Sequence, residues 1–290
     1  MAANFRNFVV QAFRQPVLWK ILPLGLLWMT YKINRYFNRR ALNNSAQASF
    51  NWKKEIVLVT GGSDGIGAAT VKRLAERGTA VIVLDIRPLT YDARGDVGDP
   101  TCVVANAGIC RGKPLLHATQ RDIELTFAVN NLAVIWTAQI FLPLMVKHNH
   151  GHFLIMSSQT AHLATSGIVD YAATKAAALA IYEGLQTELR HVYKAPAVRM
   201  SCLAPSGVQT KMFRGIKTPS SVTLMRPDDV GAVVTEILWS GQAQNRMTPG
   251  LAYISPPTRA LPDWFRVLLQ DVGKDVMTEL SPHHPMEGIE

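Results

Sequence analysis

Glu55-Ile56-Val57-Leu58-Val59-Thr60-Gly61-Gly62-Ser63-Asp64-Gly65-Ile66-Gly67 is the stretch on which the fold turns. Its first six residues are a short, largely β-branched apolar run, the pattern of a strand buried on both faces. Glycines at 61, 65 and 67 let the chain turn tightly and bring bare backbone close to a ligand. A helical pattern, Ala68–Arg77, follows at once, so its N-terminal N–H groups and positive dipole end face the turn. Strand, glycine turn and helix in this order make a seat for a pyrophosphate, with Gly61, Ser63, Asp64, Gly65, Ile66 and Gly67 as its candidate residues. The next apolar run, Thr79–Leu84, reads as a second strand and ends in Asp85, 18 residues beyond Gly67. A carboxylate there can accept hydrogen bonds from both hydroxyls of an adenosine ribose and repels a 2′-phosphate. NAD(H) is therefore favoured, while Arg87 nearby keeps NADP(H) open.

Tyr171-Ala172-Ala173-Thr174-Lys175 opens a second informative region, because i and i+4 place Tyr171 and Lys175 on one helix face. A free phenol, with a pKa of about 10, is a poor base near neutrality. An ammonium about 4 Å away could lower that by as much as about 3, less what desolvation takes back. Tyr171 would then exchange a proton with an alcohol or carbonyl. Upstream, His152–Met156 reads as another buried strand and ends at Ser157-Ser158. Ser158 lies 13 residues before Tyr171, and a hydroxyl at the carboxyl end of a strand can hold a substrate oxygen. A Tyr-x-x-x-Lys pair alone is an ordinary helix pair; the serine and the glycine turn give it weight.

From about Glu55 to Tyr253 the chain resembles the short-chain dehydrogenase/reductase family. The resemblance rests on Thr60-Gly61-x-x-x-Gly65-x-Gly67, Asn106-Ala107-Gly108, Asn130, Ser158, Tyr171-x-x-x-Lys175 and Pro205-Ser206-Gly207-Val208-Gln209-Thr210, in that order. It implies an α/β fold with a Rossmann-like, doubly wound parallel sheet, and hydride transfer between a nicotinamide and an alcohol or ketone. By the same resemblance Tyr171 is the acid/base, Ser158 orients the substrate oxygen, Lys175 lowers the tyrosine pKa and binds the nicotinamide ribose, and Asn130 holds a water in a proton relay. Asn106, Ala107, Gly108, Val208 and Thr210 join the cofactor-binding residues, Thr210 at the carboxamide. Phe127–Met145 and Asp170–Lys175 are similar to the membrane-associated retinol and hydroxysteroid dehydrogenase branch. That implies a lipophilic substrate (a retinoid, steroid or long-chain lipid) arriving from the membrane side. A homodimer through the helices Asn130–Lys147 and Asp170–His191 is a further implication of the family.

One region departs from the pattern. Only 21 residues separate Asp85 from Asn106, where the family usually places a helix, a strand ending in an adenine-contacting Asp, and another helix. Thr101–Ala105 still reads as a strand. About 15 connecting residues reach up to ~50 Å, enough to cross from one sheet end to the other but not to supply a strand and a crossover helix as well. The sheet is expected to lack one edge strand and a covering helix between 86 and 105, exposing apolar surface beside the adenine. Asp96 and Asp99 are weak stand-ins for the missing aspartate. The alternative this opens is a non-catalytic, membrane-associated remnant or scaffold with impaired cofactor binding. Ala105 and Ser206 are milder departures.

The charge is distributed unevenly. The chain has 290 residues, 30 Lys+Arg and 21 Asp+Glu, a net charge of +9. Nine basic residues and no acid lie in the first 54, so the remainder is neutral and nucleic acid is a poor partner. Val17–Tyr31 is apolar apart from Lys20 and Thr30, and Lys32, Arg35, Arg39 and Arg40 follow. Fifteen residues fall short of the ~20 that span a bilayer, and Pro23 and Gly25 would weaken a helix. With the amphipathic Phe5–Phe13, this suits a segment inserted in or lying on a cytoplasmic leaflet. Mitochondrial targeting and a soluble helix packed on the body are the rival readings. The expected domains are 1–50, an anchoring segment with Ala41–Asn51 as linker, and 51–290, the enzyme-like body. The matching location is the endoplasmic reticulum or a lipid droplet, with the body in the cytosol. Cys102, Cys110 and Cys202 give no disulfide framework, and neither they nor the eight histidines have metal-ligand spacing. Arg214–Met225 reads as a substrate lid or a plain loop. Leu261–Val272 is an amphipathic helix that packs on the body or touches a membrane.

Overall fold

The computed structural model describes residues 16–87, 98–216 and 224–277; for 16–22 the backbone alone is described. Six strands, β1 (Ile56–Thr60), β2 (Ala80–Leu84), β3 (Cys102–Ala105), β4 (His152–Met156), β5 (Arg199–Pro205) and β6 (Asn245–Thr248), form one sheet in the order β2-β1-β3-β4-β5-β6. Every neighbouring pair is parallel. The helices are α1 (Pro16–Leu42), α2 (Gly65–Glu76), α3 (Gln120–Phe127), α4 (Ala133–His148), α5 (Val169–His191), α6 (Pro227–Trp239) and α7 (Asp263–Val272).

Parallel strands covered on both faces need continuous apolar runs, and these strands have them. Leu58, Val103, Phe153, Ile155 and Met200 point to the side covered by α4 and α5. Their alternates Val57, Val59, Val104, Leu154 and Leu203 point to the side of α2 and α6. On that second side α2 and α6 approach closely: a Cβ on Gly231 would come within 3.0 Å of the Ala69 backbone. Helix α3 starts on a capping box between Thr119 and Asp122, and the Asp122 carboxylate also takes Arg111 at 2.9 Å and Lys113 at 2.7 Å. The hydrogen bond from Lys113, with those from Thr119, holds its carboxyl far below the usual carboxylate range.

Strand order reverses between β1 and β3, and the crevice at their carboxyl ends is where an open α/β sheet binds ligands. On the far side of β1, β2 is the sheet edge among the described residues. Between Leu84 and Cys102 no strand or helix is described, and residues 88–97, with Asp96, lie outside the description. Among the described residues the sheet has six strands and none beyond β2. β2 is only half buried, whereas β3, β4 and β5 are buried along their whole length. Leu84 and Ile86, at the end of β2, are 49% and 60% exposed.

The N-terminal region differs from expectation in one respect. α1 runs unbroken through Pro23 and Gly25. Its described apolar side chains from Leu24 to Phe37 are exposed, and it ends on Arg39 and Arg40. Met1–Ser45 and Ala46–Glu290 are separate compact units. Part of the linker read over Ala41–Asn51 belongs to the body: Arg199 donates to the Ala46 carbonyl at 2.7 Å, and Phe50 stacks on Trp52. By length and composition, one helical run among the described residues could cross a bilayer. It is Gln120–His148, whose inner face is core.

Candidate active site

The glycine turn is held in shape by its neighbours. Gly61 and Gly65 have φ of 68° and 55°, left-handed values that L side chains rarely adopt. A Cβ on Gly67 would sit 2.0 Å from the Gly61 carbonyl oxygen, so only glycine allows this close approach of helix and turn. Across the switch point the Thr60 hydroxyl accepts from the Asn106 and Ala107 amides at 3.0 Å each. Asn106 Nδ2 donates to the Thr60 and Gly61 carbonyls at 3.0 and 3.2 Å. Strand β1 and the Asn106-Ala107-Gly108 loop are thus stitched into one rim.

Asp85 closes the rim on the β2 side. Its carboxylate accepts from the Ser63 amide at 2.8 Å and the Arg87 amide at 2.9 Å. Asp64 caps α2, accepting from the Gly65 amide, and lies 2.9 Å from Lys211 and 3.5 Å from Arg87. Burial alone would raise the Asp64 pKa, but Lys211, the Gly65 amide and Arg87 together bring it below its ordinary value.

One cavity of about 500 Å³ runs from this rim to Tyr171. Gly61, Asp64, Gly65, Ile66 and Asp85 line one end, and Ser158, Tyr171 and Lys175 the other. Asn106, Ala107, Gly108, Val208 and Thr210 line it between them. Three candidate residues are not in its wall. Ser63 turns away, its hydroxyl donating to the Arg87 carbonyl; Gly67 serves packing; Asn130 sits behind the wall. Asn130 lies in a π turn, Ala128–Leu132, at the junction of α3 and α4. Its Nδ2 donates to the Ile109 carbonyl and the Thr174 hydroxyl, and its Oδ1 accepts from the Ile109 amide, so both side-chain donor hydrogens are committed to protein.

Tyr171 and Lys175 meet as the helix period requires, with the ammonium 5.5 Å from the phenol ring centroid. Lys175 Nζ donates to the Met156 carbonyl at 3.0 Å, and the Ser157 hydroxyl donates to the Lys175 carbonyl at 2.8 Å, which fixes α5 against β4. The expected lowering of the Tyr171 pKa is absent. Burial pushes the phenol well above its ordinary value, the Cys110 side chain adds to that, and a hydrogen bond with Ser158 opposes it. Burial also lowers the Lys175 ammonium to about 8. Desolvation outweighs pairing because both groups sit in an apolar enclosure.

A family model then decides the class: the one for short chain dehydrogenases matches residues 55–94 and 89–220, more than half of the chain. The chain belongs to the short-chain dehydrogenase family. The two matched pieces of this short-chain dehydrogenase meet at 89–94, inside its shortened connection. It is 32% identical to Dehydrogenase RED2 of Cochliobolus heterostrophus, over 58% of this chain and 73% of that one. It is 28% identical to human estradiol 17-beta-dehydrogenase 11, over 74% of this chain and 82% of that one. With human epidermal retinol dehydrogenase 2 it shares 28% identity, over 60% and 67%. Among solved structures, a Burkholderia cenocepacia short chain dehydrogenase in complex with NADP superposes with a TM-score of 0.63 at 24% identity, covering 76% of this chain and 99% of that one. 4-Hydroxyisoleucine dehydrogenase complexed with NADH gives 0.59 at 18% identity, covering 67% and 96%. At these identities the two structures speak for the fold. Family membership makes the protein an oxidoreductase.

The residues present in the short-chain dehydrogenase fit a nicotinamide dinucleotide over most of its length. The turn leaves room where any Cβ would intrude, Thr210 lies against Gly65, the Asp85 carboxylate closes the rim beside the turn, and Lys175 lines the far end. The adenine end is the poorer fit, with exposed Leu84 and Ile86 in its wall; Asp99 is not part of the cavity wall.

Sequence reasoning missed three contributors. Lys211 follows the Pro205–Thr210 motif directly, and its cationic type was a usable signal. Phe213 sets its ring edge-on to Tyr171, with centroids 5.8 Å apart. Met277, more than a hundred residues after Tyr171, packs with it, Cys110 and Ile168, and no local pattern announces that contact. The stem of the expected lid is closed by a bridge between Val208 and Met225, and its residues 217–223 lie outside the description.

Proposed function

We propose that this chain is an NAD(H)-preferring oxidoreductase of a lipophilic alcohol or ketone, held at a membrane by its first 50 residues. One observation carries the reading. Tyr171 and Ser158 share a cavity with the glycine turn and Asp85; beside Tyr171 its wall is Cys110, Met212 and Phe213, with Ile168 and Met277 packed behind them. A polar substrate would find few partners there beyond the two hydroxyls, whereas a retinoid, steroid or long-chain lipid would bury its apolar body.

Within this proposal, a bound nicotinamide dinucleotide supplies hydride exchange. Ser158 holds the substrate oxygen, and Tyr171 gives or takes its proton. Lys175 holds the ribose and offsets charge on the phenol. Asn130 keeps the Ile109 loop and α5 in register, and if it orders a water for proton relay, its main-chain carbonyl in the π turn is the group to do so. Asp85 favours NAD(H), which fits the cofactor of 4-hydroxyisoleucine dehydrogenase; the Burkholderia structure carries NADP, and Arg87 beside the site keeps that alternative in the test. The exposed side chains of α1 and its basic end support anchoring on the cytosolic face of the endoplasmic reticulum or a lipid droplet. The estradiol and retinol dehydrogenases among the relatives fit a lipophilic substrate. A homodimer through α4 and α5 completes the proposal, with Trp136 and Ile140 exposed on α4.

The test is calorimetry with NAD(H) and NADP(H) on purified full-length protein, followed by turnover of retinoid, steroid and long-chain alcohols. Absence of both binding and turnover sinks the proposal. That outcome would favour the second reading, a membrane-associated remnant or scaffold, whose specific support is the uncovered edge at Leu84 and Ile86. Carbonate extraction tests the anchor, since only an inserted segment stays with the membrane.

A further inference from the structure

The C-terminal part of the body carries a second apolar surface outside the cavity. On α7, Trp264, Leu268 and Val272 recur at helical spacing and are 67%, 52% and 70% exposed, and Leu261, two residues before the helix, is 44% exposed. The opposite stripe, Phe265 and Leu269, is half buried against the body, so packing has already used one apolar face and left another outward. Further upstream, in the turn Gly250–Ile254, Leu251 and Ile254 are also more than half exposed. An exposed apolar stripe of this kind marks an interaction site.

The segment that carries this face is tied to residues that line the cavity. Gln270 Nε2 donates to the Ala164 carbonyl at 2.9 Å, and the Ser166 hydroxyl donates to the Lys274 carbonyl, tying the end of α7 to the loop between β4 and α5. The next residues, Val276 and Met277, pack on Ile168, Tyr171 and Phe213. The outward stripe and the packing behind Tyr171 and Phe213, which line the cavity, therefore belong to one short segment.

We propose that the α7 face rests on a lipid bilayer surface and forms the doorway through which substrate reaches Tyr171. This rests on the lipophilic-substrate reading above. Trp264 has the amphipathic ring that suits the headgroup boundary. The charges on α7 are largely self-contained, with Arg266 bonded to Asp263 at 2.9 Å, which matches a lipid surface better than a charged protein partner. Residues 278–290 bring two prolines and three acids and no helical apolar stripe to lay over the face. The chain also brings its own route to a bilayer in α1, whose exposed apolar side chains and terminal arginines suit an interface.

The experiment uses the full chain on phosphatidylcholine vesicles brominated at known acyl depths, comparing tryptophan quenching in wild type and Trp264→Phe. Tryptophans elsewhere, including those of the N-terminal segment, contribute equally to both. The expected result is that Trp264→Phe removes a share of the fluorescence that shallow bromines quench. Leu268→Asp should raise KM at least fivefold for a long-chain alcohol dissolved in the vesicles and leave a short water-soluble alcohol within twofold. Identical quenching in wild type and Trp264→Phe overturns the proposal. So does a Leu268→Asp variant that dissociates a dimer in sedimentation, which would assign the face to a second copy. If the wild type turns over neither alcohol, the catalytic reading falls while the quenching comparison still decides the face.

Discussion

Lys175 reaches past the phenol of Tyr171 to donate to the carbonyl of Met156 at 3.0 Å, with its Nζ 5.5 Å from the tyrosine ring centroid. The ammonium is therefore buried against a neutral acceptor, and the protein carries its charge at a cost. Its pKa falls from 10.5 to about 8 through burial.

For Lys175 the folded value lies below the unfolded one, so between pH 8 and 10.5 the unfolded chain binds more protons and stability rises with pH. Below pH 8 the cost is present in full. Lys175→Met should raise Tm by several degrees at pH 7, and the gain should disappear by about pH 10.5, while turnover is lost. Thermal unfolding across that range checks the sign.

Tyr171→Phe should leave the fold and dinucleotide affinity within about twofold and lower kcat by about 10²–10⁴, the usual worth of a positioned acid/base. Calorimetry alongside turnover separates the two effects. An unchanged kcat would remove Tyr171 from the chemistry.

Buried His152 gives a second pH signature. It is fully enclosed on β4, its Nε2 is 2.8 Å from the Ser201 hydroxyl, and burial with nearby Arg199 lowers its pKa from 6.5 to about 3. The unfolded chain takes up the proton first on acidification. Stability should fall by up to about 1.4 kcal/mol per pH unit below 6.5, and flatten near pH 3. His152→Gln should show a shallower slope in urea titrations at pH 4–6.

Asp85→Ser should shift the ratio of NAD to NADP affinity at least tenfold toward NADP, because the charge that repels a 2′-phosphate is gone. It also removes the acceptor for the Ser63 and Arg87 amides, so a drop in Tm should accompany the shift. Parallel titrations with both dinucleotides measure the ratio.

Gly67→Ala should cost more than about 3 kcal/mol, since its Cβ would lie 2.0 Å from the Gly61 oxygen and backbone must move. Urea unfolding reads the loss. A near-neutral effect would mean that helix and turn are less closely packed than the structure has them.

Much of the frame was legible because its signals are local. The apolar run before Gly61 and the run His152–Met156 announce strands within a residue of their observed bounds. β6 escaped because Asn245–Thr248 is four residues long and polar at its start, and its place comes from pairing with β5. α1 passed through Pro23 although proline is a helix breaker by propensity. Within the site, residue types and spacings gave Ser158, Tyr171 and Lys175. They could not give Phe213 or Met277, whose partners lie far away along the chain.

The sequence by itself determined the strand–turn–helix seat, the Tyr171–Lys175 face and the missing length between Asp85 and Asn106, because periodicity, glycine and chain length act locally. Tertiary structure decided the protonation balance. The sign of the Tyr171 and Lys175 shifts depends on how much water remains around them, and that is set by Cys110, Ile168, Phe213 and Met277 converging from four separate parts of the chain. It also decided which face of α7 stays outside, because amphipathic spacing shows that a helix has apolar stripes and only packing shows which of them is already covered.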